Sequence, residues 1–239
     1  GSARSGADIM AVVYGTALRG LGPDDPVRDR LVLSKGHAAL ALYAGLVERG
    51  WLTESELLTY CTDGTCVATH PESVVSGIDF SSGSLGQGLP VGVGAALAAR
   101  MSGSSRRTFI LLSDAECDAG STWEAALFAG HHRLGSLTAV VDVNGQQAFG
   151  YTADVLDLEP LADKWAAFGW NVREVNGHDI DDLSGSIAVQ SPDHPTVVLA
   201  RTRLGRGVSF MEGKIKWHYW PLSDEEYAAA KTEVSKGLQ

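Results

Sequence analysis

Apolar positions along the chain fall into two periods, and where one gives way to the other the elements can be placed. From Ala7 to Leu18, Ile9, Val12, Val13 and Thr16 recur at helical spacing, with Ser5 or Asp8 as cap and Gly20 as stop, so a first helix is predicted there. A short apolar run at Arg30 to Ser34 precedes an Ala- and Leu-rich helix over Ala38 to Glu48. Thr53 with Glu56 three residues on is a capping-box pattern, which predicts a helix from Glu54 to Tyr60. Cys61 to Leu85 shows little periodicity and much Gly, Ser, Thr, Asp and Pro, and reads as a long loop of the kind that usually carries function. A helix of small residues follows, from Gly86 to Met101.

The clearest unit comes next. Thr108 to Leu112 is a continuous apolar run fit for a buried strand, Ser121 with Glu124 reads as a second capping box opening a helix from Trp123 to His132, and Thr138 to Val143 is another buried strand. This is a βαβ pattern. Alternation continues with a helix near Leu158 to Phe168, a strand Asn171 to Val175, a helix Ile180 to Val189, a strand Thr196 to Ala200 and a last helix behind the Ser223/Glu226 box. The predicted architecture is α/β, a mainly parallel sheet flanked by helices on both faces, in a single domain over residues 1–239.

Composition narrows the partners more than the fold. The 29 acidic residues against 19 basic give a net charge of -10, which repels a nucleic-acid backbone or an anionic membrane surface, so neither is expected as a partner. No run of apolar residues is long enough for a membrane span, and nothing reads as an export signal. Three cysteines, Cys61, Cys66 and Cys117, make an odd set without a CxxC spacing; a disulfide framework is not expected and a reducing cytoplasm fits.

In open parallel sheets ligands sit beyond the carboxyl ends of the strands. The first polar residues there are Ser113-Asp114-Ala115 and Asp142-Val143-Asn144. Side-by-side strands would bring the Asp114 carboxylate and the Asn144 amide oxygen into one coordination sphere, and two hard oxygens suit Mg²⁺ or Ca²⁺. The backbone carbonyl of Gln146 and the phosphates of a diphosphate ligand would complete the shell. Taken alone, Asp114 also reads as a turn cap and Asn144-Gly145 as a turn dipeptide. The glycine-rich stretch Ser82-Gly83-Ser84-Leu85-Gly86-Gln87-Gly88 precedes a helix and offers backbone donors to an anion, though it is neither a dinucleotide fingerprint nor a P-loop.

Together with these, Leu33-Ser34-Lys35-Gly36-His37-Ala38, His70-Pro71-Glu72, the stretch Trp123 to His131, Asn144-Gly145-Gln146, Gly207 to Glu212 and Trp217-His218 resemble the thiamine-diphosphate-binding half of transketolases, in order along nearly the whole chain. The likeness is to the amino-terminal subunit of a split transketolase. It implies a thiamine-diphosphate-binding fold of the diphosphate-holding type, with the pyrimidine-binding and C-terminal domains on a partner chain, in an α2β2 assembly. It implies Asp114, Asn144 and the Gln146 carbonyl as metal ligands. His37 and His218 would face diphosphate and substrate, Gly83, Ser84 and Leu85 would line the cofactor, and Ser113 and Ala115 would flank it. His70 would touch the donor sugar, so that His37, His70 and His218 are the catalytic candidates. The implied reaction moves a two-carbon ketol unit from a ketose or ketose phosphate to an aldose, with the cofactor as electron sink.

Where the family carries Gly-Asp-Gly, this chain has Ser113-Asp114-Ala115, and added Cβ atoms there are expected to strain the turn or push a diphosphate outward. Ala119 replaces a glutamate that in the family helps link two cofactor sites; Glu124 remains, and Glu116 and Asp118 are the candidates to compensate. The family's Gly-His motif would fall just before Gly1, and its aminopyrimidine-protonating glutamate lies in the domain expected on the partner. Two other readings share these residues: another thiamine-diphosphate carbon–carbon bond-forming enzyme, and a degenerate scaffold subunit that keeps the fold without the cofactor.

Overall fold

The computed structural model describes residues 2–237. Five strands, β1 (Arg30–Leu33), β2 (Thr108–Ser113), β3 (Leu137–Val143), β4 (Asn171–Asn176) and β5 (Thr196–Arg201), lie in one sheet in the order β1-β2-β3-β5-β4. Every pairing within it is parallel. The register aligns Ser113 with Asp142 and Asp142 with Ala200, so the carboxyl ends of β2, β3 and β5 finish at one level.

Side chains alternate between the two faces, as strand geometry requires. Leu31, Leu33, Phe109, Leu111, Val140 and Val198 enter one core, with helices α1 (Ala7–Val12), α2 (Ala39–Glu48) and α6 (Ile180–Ala188). Val32, Ile110, Leu112, Ala139, Val141 and Leu199 enter the other, with α3 (Gly88–Met101), α4 (Gly120–His131) and α5 (Leu161–Ala167). Strands buried on both faces explain why they read as unbroken apolar runs. A third, smaller cluster of Val208, Met211, Trp217 and Ala230 joins the segment after β5 to the terminal helix α7 (Asp224–Gly237).

The expected α/β sheet with helices on both faces is therefore present, and the differences are local. The first helix keeps α geometry only to Val12 and continues as a π-helical turn over Val13–Ala17. The helix after Thr53 stops at Leu57, and α5 starts at Leu161 rather than Leu158. Ser121 and Glu124 do not form a capping box: α4 already begins at Gly120, and the Ser121 hydroxyl donates to the Gly86 carbonyl at 2.7 Å. The box sits one step earlier, where Ser113 and Glu116 cap a 3₁₀ turn over Asp114–Asp118. Two short elements escape periodicity altogether, the antiparallel pair Gln146–Gln147 with Gly150–Tyr151 and the one-turn helix Lys216–Tyr219. Among the described residues no helix is long and apolar enough to cross a membrane.

Candidate functional site

Four loops leave the sheet at the carboxyl ends of β1, β2, β3 and β5, and polar side chains tie them together. After β1, Lys35 is fully buried and pairs with Asp142 at the end of β3. Asp142, also fully buried, accepts further from the Ser5 hydroxyl at 2.6 Å and from Thr202 just past β5. Burial pushes the Asp142 carboxyl up, but Lys35, Ser5 and Thr202 outweigh it and hold the group below the usual carboxylate range. A second buried acid binds the other side: Glu116 accepts from the Ser34 hydroxyl, from the Gly86 amide at 3.0 Å and from the Ser113 amide at 2.9 Å. This one carboxylate joins β1, β2 and the glycine-rich loop. Gly86 takes φ +80° there, and a Cβ on Gly88 would collide with the Ser34 side chain, so both positions require glycine.

Asp114 follows directly after β2 and is buried. Its Oδ2 accepts from the Gly145 amide at 2.8 Å, which sets the carboxylate against the turn after β3 although the two lie 31 residues apart in sequence. Asn144 folds that turn by accepting from the Gln146 amide at 3.0 Å, while its Nδ2 approaches the Ser5 hydroxyl at 3.5 Å. Asp114, Asn144 and Gln146 are thus brought together. Burial, followed by the Asp142 charge, pushes the Asp114 carboxyl up to about 7.

Beside this turn lies a cavity of about 160 Å³ whose wall includes His37, Leu85, Ser113, Ala115, Asn144 and His218. The His37 and His218 rings stand 5.1 Å apart. Burial, then the nearby Lys35 charge, lowers His37 to about 3, and burial also lowers His218, so both imidazoles are neutral near pH 7 and each offers one N–H donor. Ser113 has φ -102° and Ala115 lies within the 3₁₀ turn, so neither non-glycine residue strains the backbone. The expected strain at these replaced glycines is absent; what remains is their Cβ atoms in the cavity wall.

His70, Gly83 and Ser84 do not line this cavity. His70 is exposed and packs edge-on against two loops, since a Cβ on Gly36 would meet its Cδ2 at 3.0 Å and one on Gly83 at 3.6 Å. The sequence marked Ser5 only as a possible helix cap and Lys35 only as part of a motif, and gave no role to Thr202. Asp142 had a signal, being the first polar residue of the β3 exit, but its partners come from segments distant in sequence. Cys117 is a packed thiol that burial raises well above its ordinary value. His178 is structural: its Nε2 accepts the Arg203 amide at 2.9 Å, which leaves the ring proton on Nδ1 to donate to the Asp8 carboxylate at 2.8 Å.

The donor set suits a magnesium diphosphate. A carboxylate, an amide oxygen and a main-chain carbonyl on one turn are hard oxygen ligands, and Mg²⁺ prefers few protein oxygens with phosphates completing its shell. The described cavity wall holds neither lysine nor arginine, and Lys35 is committed to Asp142. A divalent ion would therefore supply the positive charge that a diphosphate and the buried Asp114 require.

The family described as "Transketolase, thiamine diphosphate binding domain" matches residues 1–237. A 6-deoxy-6-sulfo-D-fructose transketolase subunit from Clostridium sp. (strain MSTE9) is 40% identical over 241 residues, covering 99% of this chain and 88% of that protein. An apulose-4-phosphate transketolase subunit from Phocaeicola vulgatus is 37% identical over 239 residues, covering 97% and 84%. The crystal structure of a transketolase from Campylobacter jejuni superposes with a TM-score of 0.86 at 25% identity, over 98% of this chain and only 42% of that longer one.

Proposed function

Because the chain belongs to the transketolase family, as its thiamine-diphosphate-binding domain, we propose that it is one subunit of a split transketolase that moves a two-carbon ketol unit from a ketose to an aldose. The chain forms a single domain that holds the cofactor's diphosphate end. A second polypeptide carries the pyrimidine-binding and C-terminal domains and completes the site in an α2β2 assembly. The subunits it resembles are named for 6-deoxy-6-sulfo-D-fructose and apulose-4-phosphate, which favours a ketose bearing an anionic tail. A cytoplasmic setting is consistent with three cysteines that are all free thiols.

The observation that carries this reading is the 2.8 Å hydrogen bond from Gly145 to Asp114, which joins the β2 and β3 exits into one oxygen-rich turn beside a cavity. In this reading Asp114, Asn144 and the Gln146 carbonyl hold Mg²⁺ or Ca²⁺. Bound thiamine diphosphate supplies an electron sink for carbon–carbon cleavage. The residues of this chain bind, orient and exclude water. His37 and His218 donate neutral N–H groups to diphosphate or substrate oxygens without adding charge, Ser113 and Ala115 bound the diphosphate, and Leu85 with Gly83 and Ser84 packs against the cofactor rings. His70, at the open side of the Gly36 and Gly83 loops, meets the donor sugar. Lys35 and Asp142 fix the β3 exit from below and touch no ligand. Ketol transfer assayed with this chain, its partner subunit, Mg²⁺ and thiamine diphosphate tests the reading: activity is expected from the pair and absent from either chain alone, whereas turnover by this chain unaided would contradict it.

A further inference from the structure

His218 does not sit on the sheet. It rides on the one-turn helix Lys216–Tyr219 at the end of the irregular segment that follows β5. That segment has its own small core, in which Trp217 is buried beside Phe210 with ring centres 5.3 Å apart and its indole N–H donates to the Phe210 carbonyl at 3.0 Å. Its internal packing therefore fixes its shape but not its place against the cavity. Near its start it is held by Arg4, whose guanidinium donates to the Arg206 carbonyl at 2.9 Å, and by His178 on the Arg203 amide. Near His218, besides the His37 ring, two hydrogen bonds tie it to the turn after β3. The Gln146 Nε2 donates to the Gly213 carbonyl at 2.7 Å, and the Tyr219 hydroxyl donates to the Ala148 carbonyl at 2.5 Å.

Gln146 is unusual in its other half. The residue is 7% exposed, and its Oε1 is buried with no hydrogen-bond partner among the described residues. The orientation is fixed chemically, because only the NH₂ end of an amide can face a carbonyl oxygen. Methionine in its place would leave no acceptor there to satisfy, since an unpaired buried acceptor carries a penalty that a hydrophobic residue avoids. The His218 Nδ1 is likewise buried with no hydrogen-bond partner among the described residues.

We propose that Gln146 and Tyr219 are positioning residues for His218: together they clasp the segment from Gly213 to Tyr219 onto the turn after β3, so that the residue whose main chain faces the metal also sets the imidazole across the cavity. The inference deepens the function proposed above and relies on it only for the identity of the ligand. It is tested on the full chain by hydrogen exchange, thermal unfolding and calorimetric titration with Mg²⁺ and thiamine diphosphate in the presence of the partner subunit. Gln146→Met keeps the volume and the main-chain carbonyl, and Tyr219→Phe keeps the ring.

Each variant should speed exchange of the amides from Gly213 to Tyr219 roughly tenfold, as loss of one hydrogen bond of ordinary strength allows, with the amides of β2 and β3 unchanged. Cofactor affinity should fall by a similar factor while the melting temperature of Gln146→Met stays level or rises. Unaltered exchange across Gly213 to Tyr219 in both variants would overturn the proposal, as would a uniform rise over the whole molecule with a lowered melting temperature. Faster exchange in the variants, together with a wild-type protein that binds no cofactor, would uphold the clasp and sink the functional reading instead.

Discussion

Asp114, the side chain proposed to hold the divalent ion, is held by main-chain donors on both of its oxygens, Ala115 at 2.9 Å and Gly145 at 2.8 Å. Asp114→Asn keeps the shape but removes the charge that a divalent ion needs. It should weaken the binding of magnesium thiamine diphosphate by about a hundredfold or more, judged by losing one close charge–charge contact in a buried site. Calorimetry reads that loss, and unchanged circular dichroism shows that the fold remains. His37 tests the electrostatics at the same scale. Its folded pKa of about 3 lies below the ordinary value of 6.5 because burial, then Lys35, disfavours the imidazolium. Between those values the unfolded chain binds a proton that the folded chain refuses, so stability is fully present above the upper value and is lost as pH falls through the window. Melting temperature should drop on acidification from pH 6.5 towards 3, and less steeply in His37→Asn; parallel slopes would remove His37 from the account.

At the scale of elements, two buried acids do the joining. Glu116 binds the β1 exit, the β2 exit and the glycine-rich loop, and Glu116→Gln replaces one acceptor oxygen by a donor that faces an N–H. That should cost about 2 kcal/mol in denaturant unfolding, the range for leaving a buried amide unsatisfied. Lys35→Met would leave Asp142 buried without its counter-charge and should cost more, about 3–5 kcal/mol. The strands were legible because residues such as Phe109 to Leu112 and Val197 to Ala200 are apolar on both faces, and their exits named Asp114 and Asn144. The capping at Ser121 misled because Ser-x-x-Glu recurs eight residues earlier at Ser113, and local pattern cannot say which serine turns its hydroxyl to a neighbouring loop. Lys35, Ser5 and Thr202 were not legible as a set: their common partner is Asp142, and only the parallel register brings them to it. Gln146 was read for its main chain, since nothing in sequence tells that its amide reaches Gly213.

Across the whole molecule, the sheet's carboxyl edge concentrates the acidic turn, the neutral histidines and the segment bearing His218, while the cavity beside them is small, about 160 Å³, and bordered by the exposed Phe149. In the function proposed above, a wall of this kind would hold one end of a cofactor and leave the rest to the partner's surface. Ligand that binds the folded chain stabilises it by an amount that grows with the logarithm of its concentration over Kd, and so raises its melting temperature. The most direct measurement is therefore a thermal-shift and calorimetric titration of this chain with Mg²⁺ and thiamine diphosphate, carried out with and without the partner subunit. Stabilisation that needs the metal, vanishes in Asp114→Asn and strengthens when the partner is present is the predicted result. Wild-type protein that shows neither heat nor stabilisation with metal, cofactor and partner all present would contradict the account.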